Sequence, residues 1–344
     1  MARCVSTLFA LDCPQATPNM KATIALATVC FAVFSATGSA RPFINDKPAP
    51  EDRRDLEVIQ DLLRRNLPAA RAATVAIELD EGSGSGVIVS ADGLILTAAH
   101  VSTAVDKDLV IVMEDGTRHE AVSLGLAASS DAAMARILDE GPFPFVEYDG
   151  NDQTRLGDWV FALGHAGGFF EDRGPVLRLG RVVRIAQSTF QSDCMLIGGD
   201  SGGPLFDLDG KLVAIHSRVG ERLPENMHVP MREFLRHWEA MERGEFVGSG
   251  PFAQKPRIGT GYLGLVGEAG EGGLEIVRLA DGGPAAEAGV EVGDVILTIN
   301  GEDVPDRDAL RGILAGMAAG QRVVMELRRA SGENETLNFR LGER

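Results

Sequence analysis

Gly198-Gly199-Asp200-Ser201-Gly202-Gly203-Pro204 is the stretch on which the reading of this 344-residue chain turns. A serine with glycines on both sides can occupy a tight, exposed backbone turn whose neighbouring N–H groups no side chain obstructs. A nucleophilic hydroxyl needs a turn of that kind. Upstream, Leu94-Ile95-Leu96-Thr97-Ala98-Ala99-His100 puts a histidine at the end of an apolar strand, and Ser129-Ser130-Asp131-Ala132-Ala133-Met134 puts an aspartate just before another apolar stretch. In isolation His100 reads as a core histidine and Asp131 as a turn residue. Their order ahead of Ser201 is what favours chemistry. Asp115 competes with Asp131, but Asp115-Gly116 reads better as a hairpin turn. Gly82 to Gly86 lacks the Gly-Lys-Ser/Thr ending of a phosphate loop.

Around these windows, from Ala73 to about Met231, the chain runs in short β-branched segments broken by Gly, Asp-Gly and Asn-Asp: 74–79, 86–90, 94–97, 109–113, 158–163 and 211–216. That pattern predicts an all-β sandwich or barrel. In front of it, Glu51 to Leu67 carries apolar residues at mixed three- and four-residue spacing and predicts one amphipathic helix ending before Pro68. Behind it, Met231 to Arg243 reads as a second helix, and Gly244 opens a Gly, Pro and Lys stretch that reads as a linker. With 344 residues the chain has room for two or three domains.

Histidine, aspartate, serine is the chain order used by serine proteases of double β-barrel fold, whereas subtilisin-like and α/β-hydrolase enzymes use other orders. At this point the chain resembles the HtrA (Deg) family of serine proteases. The matching pieces are Gly84-Ser85-Gly86-Val87-Ile88-Val89, the Thr-Ala-Ala-His segment, Asp131, Leu163-Gly164-His165 leading to Gly180-Arg181-Val182-Val183, and Gln191-Ser192-Asp193 ahead of the serine. The resemblance implies a mainly β architecture: a chymotrypsin-like double β-barrel protease domain over 73–243, a linker over 244–256 and an α+β PDZ domain over 257–344.

In such an enzyme His100 would take the proton of Ser201 as its oxygen attacks a peptide carbonyl, and Asp131 would hold the imidazole tautomer. The backbone N–H groups of Gly199 and Ser201 would receive the oxyanion, with no metal and no cofactor. His216 and Ser217 fall on the strand that would border the substrate's side-chain pocket. Proteases that cut after Glu carry a similar Ile-His, so His216 reads either as a packed histidine or as an imidazole facing an acidic side chain. Asp200 departs from the family, which has Asn there. It resembles instead the digestive proteases, where this Asp pairs with a newly cut amino terminus. A buried carboxylate needs some such partner. The segment between Val183 and Gln191 is also short for a family in which a longer loop relays activation between subunits.

From Gly261 onward the windows Gly283-Pro284-Ala285-Ala286 and Gly293-Asp294-Val295-Ile296-Leu297-Thr298-Ile299-Asn300-Gly301 resemble a bacterial PDZ domain. That implies capture of C-terminal peptides by strand addition, with Leu263, Gly264 and Leu265 as the carboxylate loop and 306–317 as the helical wall. The expected partners are unfolded protein or peptide substrates and, by resemblance, further copies in a homotrimer. The rival reading is a peptide-binding or chaperone-like scaffold whose protease fold is inactive.

The net charge of −17, from 33 Lys and Arg against 50 Asp and Glu without a basic stripe, argues against nucleic acid as a partner. Met20-Lys21, the apolar run 22–34 and the small residues up to Ala40 have the order of a secretory signal peptide, predicting cleavage near Ala40, a start at Met20 as the alternative to Met1, and a periplasmic or secreted product. Three of the four cysteines lie in that segment, leaving Cys194, which reads as a buried small hydrophobe.

Overall fold

The computed structural model describes residues 42–79, 82–220 and 225–343. The signal-peptide and start-site expectations, and Cys4, Cys13 and Cys30, lie outside the described residues. After a 3-10 turn, Phe43–Asp46, helix α1 spans Arg53–Ala73, and the Asp52 side chain caps it by accepting from the N–H groups of Arg54 and Asp55. The helix does not stop before Pro68, as its sequence predicts. Pro68 is exposed, so the carbonyl it leaves unpaired can be hydrated, and the alanine-rich turn beyond it buries Ala70 and Ala73 against the barrel core.

Six strands follow: β1 (Thr74–Glu78), β2 (Ser83–Ile88), β3 (Leu94–Ala98), then, after the single helical turn α2 (Ala99–Ser102), β4 (Asp108–Val112), β5 (Arg118–Ala127) and β6 (Ala132–Ile137). They pair in the order β5-β4-β1-β2-β3-β6, and β5 pairs with β6 to close a barrel. A second closed barrel, ordered β10-β11-β12-β9-β8-β7, comprises β7 (Trp159–Gly164), β8 (Val176–Ile185), β9 (Phe190–Ser192), β10 (Pro204–Asp207), β11 (Leu212–Val219) and β12 (Asn226–Pro230). The sandwich-or-barrel ambiguity resolves to two barrels, the chymotrypsin-like architecture. One continuous core joins them: Ile77, Ile95 and Met134 of the first cluster with Phe161, Phe206 and Ile215 of the second, and Phe161 stacks on Phe206 at 5.0 Å. Each such side chain, fully buried, stabilises the fold by about 1.5–3 kcal/mol.

Helix α3 (Met231–Glu242) then packs Phe234 and Met241 into this core. The stretch expected as linker is docked rather than free at its start. Phe246–Val247 forms β13, parallel to Leu126 and Ala127 of β5, and Phe246 and Phe252 pack with Leu126 and Ala133. Two apolar residues among glycines were enough to extend the first sheet.

The C-terminal unit consists of β14 (Gly261–Tyr262), β15 (Leu265–Gly270), β16 (Gly273–Leu279), the turn α4 (Pro284–Glu287), β17 (Val295–Ile299), β18 (Glu302–Asp303), α5 (Arg307–Ala315), β19 (Arg322–Arg328), β20 (Asn334–Arg340) and β21 (Gly342–Glu343). Its main sheet has the order β15-β16-β17-β19-β20, so among the described residues β15 is an edge. Burial alternates along β19, with Val323, Met325 and Leu327 inside, as a half-buried strand requires. This is the α+β PDZ architecture expected. It meets the first barrel through charge: Arg322 and Arg340 both donate to the Asp108 carboxylate, at 2.6 Å and 2.7 Å.

Candidate active site

The structure brings His100, Asp131 and Ser201 to the cleft between the barrels. His100 leaves the end of β3 on α2, Asp131 immediately precedes β6, and Ser201 sits on the turn between β9 and β10. Asp131 has φ 65°, a left-handed conformation that Asp tolerates better than most residues. Its backbone holds that shape by donating to Ala127 and accepting from the N–H of Ala99. The carboxylate is completely buried and satisfied: His100 Nδ1 lies 3.0 Å from both oxygens, the His100 N–H donates to Oδ1 at 3.1 Å, and the Ser217 hydroxyl donates to Oδ2 at 2.5 Å. An acceptor on Nδ1 fixes the tautomer that leaves Nε2 as the basic nitrogen.

The Ser201 hydroxyl donates to the Ser217 carbonyl at 3.4 Å, a weak bond that is easily given up. His100, Ser201, Gly198 and Ser217 line one pocket of ≈ 280 Å³ with Leu196, Ile197 and Val219.

The turn that carries Ser201 is clamped to the first barrel by Ser85 of β2. Its N–H donates to the Ser201 carbonyl at 2.7 Å, its hydroxyl to the Gly199 carbonyl at 2.8 Å, and the same hydroxyl accepts from the N–H of His165. Gly202 is required here at φ 84°: a Cβ would run into the Ser85 carbonyl and Thr97 Oγ1. The carbonyl of Gly198 accepts from the Gly167 N–H at 2.7 Å. In a trans peptide the N–H of Gly199 then points the opposite way, off the Gly167 loop.

Asp200, also fully buried, has the partner its burial demands. Arg178 of β8 donates to Oδ1 at 2.7 Å, and the N–H of Ile197 donates to Oδ2 at 2.8 Å. The ion pair and the amide hold the backbone of the 197–201 turn.

His216 lines the pocket in name, but it is buried and both ring nitrogens are committed. Nε2 lies 3.1 Å from the Leu163 carbonyl and Nδ1 lies 2.9 Å from Nδ1 of His228, whose Nε2 lies 2.7 Å from the Ser192 hydroxyl. With both rings neutral, one proton arrangement satisfies this chain: His216 donates to Leu163, His228 donates to His216, and Ser192 donates to His228. Burial pushes His228 down to about 3 and His216 well below its usual range. No ring N–H of His216 is left for a substrate. Cys194 is buried, and burial pushes its thiol up to about 11, away from the reactive thiolate.

Of the residues named from sequence, His100, Ser201, His216 and Ser217 line this pocket, Asp131 is bonded to His100 and Ser217 behind it, and Gly199 lies on the turn that carries Ser201, while Leu263, Gly264 and Leu265 line a separate groove in the C-terminal unit. Ser217 stands here as a partner of Asp131 rather than only as pocket wall. Nothing in the sequence marks Arg178 or Gly167, and Ser85 stands out only as part of the Gly84–Val89 stretch. A buried acid at 200 signalled that a cation was needed, but nothing in one dimension says which of 33 Lys and Arg supplies it.

The trypsin-like peptidase domain model matches residues 84–215 and the PDZ domain model residues 275–329. The chain is 28% identical over 320 residues to a probable periplasmic serine endoprotease DegP-like from Rickettsia conorii, covering 85% of this chain and 60% of that protein. It is 30% identical over 309 residues to the protein of the same name from Pseudomonas fluorescens, covering 84% and 63%. The chain thus spans about three fifths of the length of these curated relatives. A serine endoprotease from Yersinia pestis, solved by crystallography, aligns with a TM-score of 0.47 at 25% identity, over 83% of this chain and 98% of that one.

Proposed function

We propose that this chain, a trypsin-like peptidase domain joined to a PDZ domain and homologous to DegP-like proteins, is a serine endopeptidase of the periplasm that cleaves unfolded or damaged proteins through an acyl-enzyme. The observation that carries the reading is the Asp131 carboxylate bound to His100 Nδ1 beside Ser201 in one pocket.

In the first step the Ser201 hydroxyl turns from the Ser217 carbonyl to His100 Nε2, gives up its proton and attacks the peptide carbonyl carbon. Asp131 stabilises the imidazolium without taking the proton. The N–H groups of Gly199 and Ser201 receive the oxyanion, and the Gly167–Gly198 hydrogen bond supports a hole formed before substrate arrives. His100 returns the proton to the leaving amine. Water then hydrolyses the ester with the same imidazole as base.

The side-chain pocket has apolar walls at Leu196, Ile197 and Val219, and the committed nitrogens of His216 leave a substrate carboxylate no ring N–H to bind. An acidic side chain would have to be met by Arg218, which also lines that pocket, rather than by His216. The PDZ groove between β15 and α5 takes C-termini, and the signal-peptide pattern ending at Ala40, the domain limits 73–243 and 257–344 and a homotrimeric assembly belong to the same proposal. Digestion of casein by the chain and by its Ser201→Ala form tests it. Activity lost in the variant, with a fluorophosphonate label on Ser201 only, is the expected result. Equal residual activity would return the chain to the class of peptide-binding scaffolds.

A further inference from the structure

The last turn of α1 is tied to both barrels at once. Arg71 donates from Nε to the Glu114 carboxylate at 2.6 Å, in the β4–β5 turn of the first barrel, and from Nη1 to the Pro175 carbonyl at 3.1 Å, where the β7–β8 loop of the second barrel enters β8. Gly174 beside it is left-handed at φ 64°, and a Cβ there would strike Arg71 Nη2. The guanidinium is thus packed on the loop as well as bonded to it. Earlier on the helix, the Asn66 amide donates to the Leu208 carbonyl at 2.8 Å, between β10 and β11.

The loop that Arg71 holds, 165–175, is the one whose Gly167 N–H donates to the Gly198 carbonyl at 2.7 Å. It moves as one piece because it is closed on itself: Arg173 donates to the carbonyls of Ala166 and Gly168 and lies over the Phe170 ring at 4.6 Å, and the Gly174 N–H donates to Phe170 at 2.9 Å. Its other end presses on the oxyanion turn. A Cβ on Gly199 would strike the His165 carbonyl and the backbone nitrogens of Gly167 and Gly168.

We propose that Arg71 is a positioning residue for peptide hydrolysis: from α1, outside the two barrels, it fixes the 165–175 loop and so keeps the Gly199 N–H aimed at the oxyanion. The inference rests on the reading of the cleft as a serine endopeptidase site. Without Arg71 the loop loses its tie to the β4–β5 turn and shifts, and Gly167 shifts with it. The Gly198 carbonyl then lacks the donor that fixes its peptide plane, and rotation of that plane carries the Gly199 N–H away. His100, Asp131 and Ser201 keep their own bonds, which run to one another, to Ser85 and to Ser217. The loss therefore falls on the transition state, where charge develops on the oxygen, and not on substrate affinity.

Kinetics of the full chain on one chromogenic peptide test this, with two inhibitors of the same sequence. One is a peptide boronate, whose tetrahedral adduct on Ser201 places an oxygen at the oxyanion site; the other has its scissile carbonyl reduced to a methylene and leaves that site empty. In Arg71→Gln, kcat should fall about tenfold, short of the roughly 100-fold or more that follows outright removal of an oxyanion donor, with KM within about twofold. Boronate affinity should fall by the same factor, and affinity for the reduced peptide should not change. Arg71→Lys, which keeps the charge but lacks the fork that serves two acceptors, should recover part of the loss. Glu114→Ala should lower kcat by a smaller factor and add nothing to Arg71→Gln; it carries the same test if Arg71→Gln does not fold. Equal weakening of both inhibitors, or parental kcat in the folded variants, overturns the inference and leaves the endopeptidase reading standing. A parent chain that neither cleaves nor takes a fluorophosphonate label overturns that reading and this inference with it.

Discussion

Arg178 and Asp200 form a buried ion pair, Nη1 to Oδ1 at 2.7 Å, on the turn that carries Ser201. Asp200 uses its second oxygen on the N–H of Ile197, so the guanidinium, the carboxylate and the backbone preceding Gly199 form one rigid piece. The cation comes from a strand of the folded barrel. The turn is therefore braced by the fold itself rather than by a newly cut amino terminus.

Removing that cation should uncouple the oxyanion site from the rest. In Arg178→Gln, kcat on a peptide substrate should fall on the order of 100-fold with a much smaller change in KM, and Arg178→Lys should recover part of it. Loss of one partner from a buried pair also costs about 3–5 kcal/mol of stability. Urea denaturation should record that separately. Wild-type kcat in a folded Arg178→Gln protein would show that the turn holds without the pair.

Ser217 completes the shell of Asp131. Ser217→Ala removes the hydroxyl that donates to Oδ2 and leaves a buried oxygen one donor short. We expect kcat to drop by about tenfold. Asp131→Asn, which reverses the hydrogen-bonding demand on Nδ1, should cost several orders of magnitude more. Stopped assays on one chromogenic peptide compare the two, and a Ser217→Ala enzyme equal to the parent would reduce that serine to packing.

Three buried histidines set an acid limit. Burial holds His165 at about 4 and His228 at about 3, with His216 also well below its usual range. In the unfolded chain each takes a proton near pH 6.5. Below that pH these three rings bind more protons in the unfolded chain than in the native one, so their contribution is full above about 6.5 and falls as pH drops towards the native values, partly offset by Asp207, whose carboxyl burial pushes up to about 7. The urea midpoint should decline between pH 6.5 and 4. The His165→Phe variant, whose ring would stack where His165 now lies 5.8 Å from Phe169, should show a shallower decline. A midpoint independent of pH over that range would contradict the neutral-ring arrangement.

The contact between the first barrel and the PDZ unit centres on Asp108, whose carboxyl is held below the usual carboxylate range first by Arg340 and then by Arg322. Asp108 is exposed, so each pair contributes no more than about 1 kcal/mol and is screened by salt. Asp108→Asn, or 0.5 M salt, should speed proteolytic cutting between residues 248 and 258. Unchanged cutting would place the hold elsewhere, in the packing of Phe252 and Ala253.

Strand-forming runs such as Leu94–Ala98 were legible because every residue in them is apolar or β-branched. The longer β5 and β8 were not, because their alternating charged residues and exposed Leu177, Leu179 and Val183 blur the period. Pro68 misled for a related reason. A proline's effect on a helix depends on whether water can reach the carbonyl it abandons.

The order His100, Asp131, Ser201 and the glycines around Ser201 pointed to the proposed reaction class and, through the family resemblance, to the double-barrel fold, because those local requirements are written in short stretches of adjacent residues. Which cation neutralises Asp200, which hydroxyl completes Asp131 and whether His216 has a nitrogen to spare were decided only in three dimensions. Each depends on partners 12 to 86 residues apart in the chain that the closing of the sheets brings within hydrogen-bonding distance.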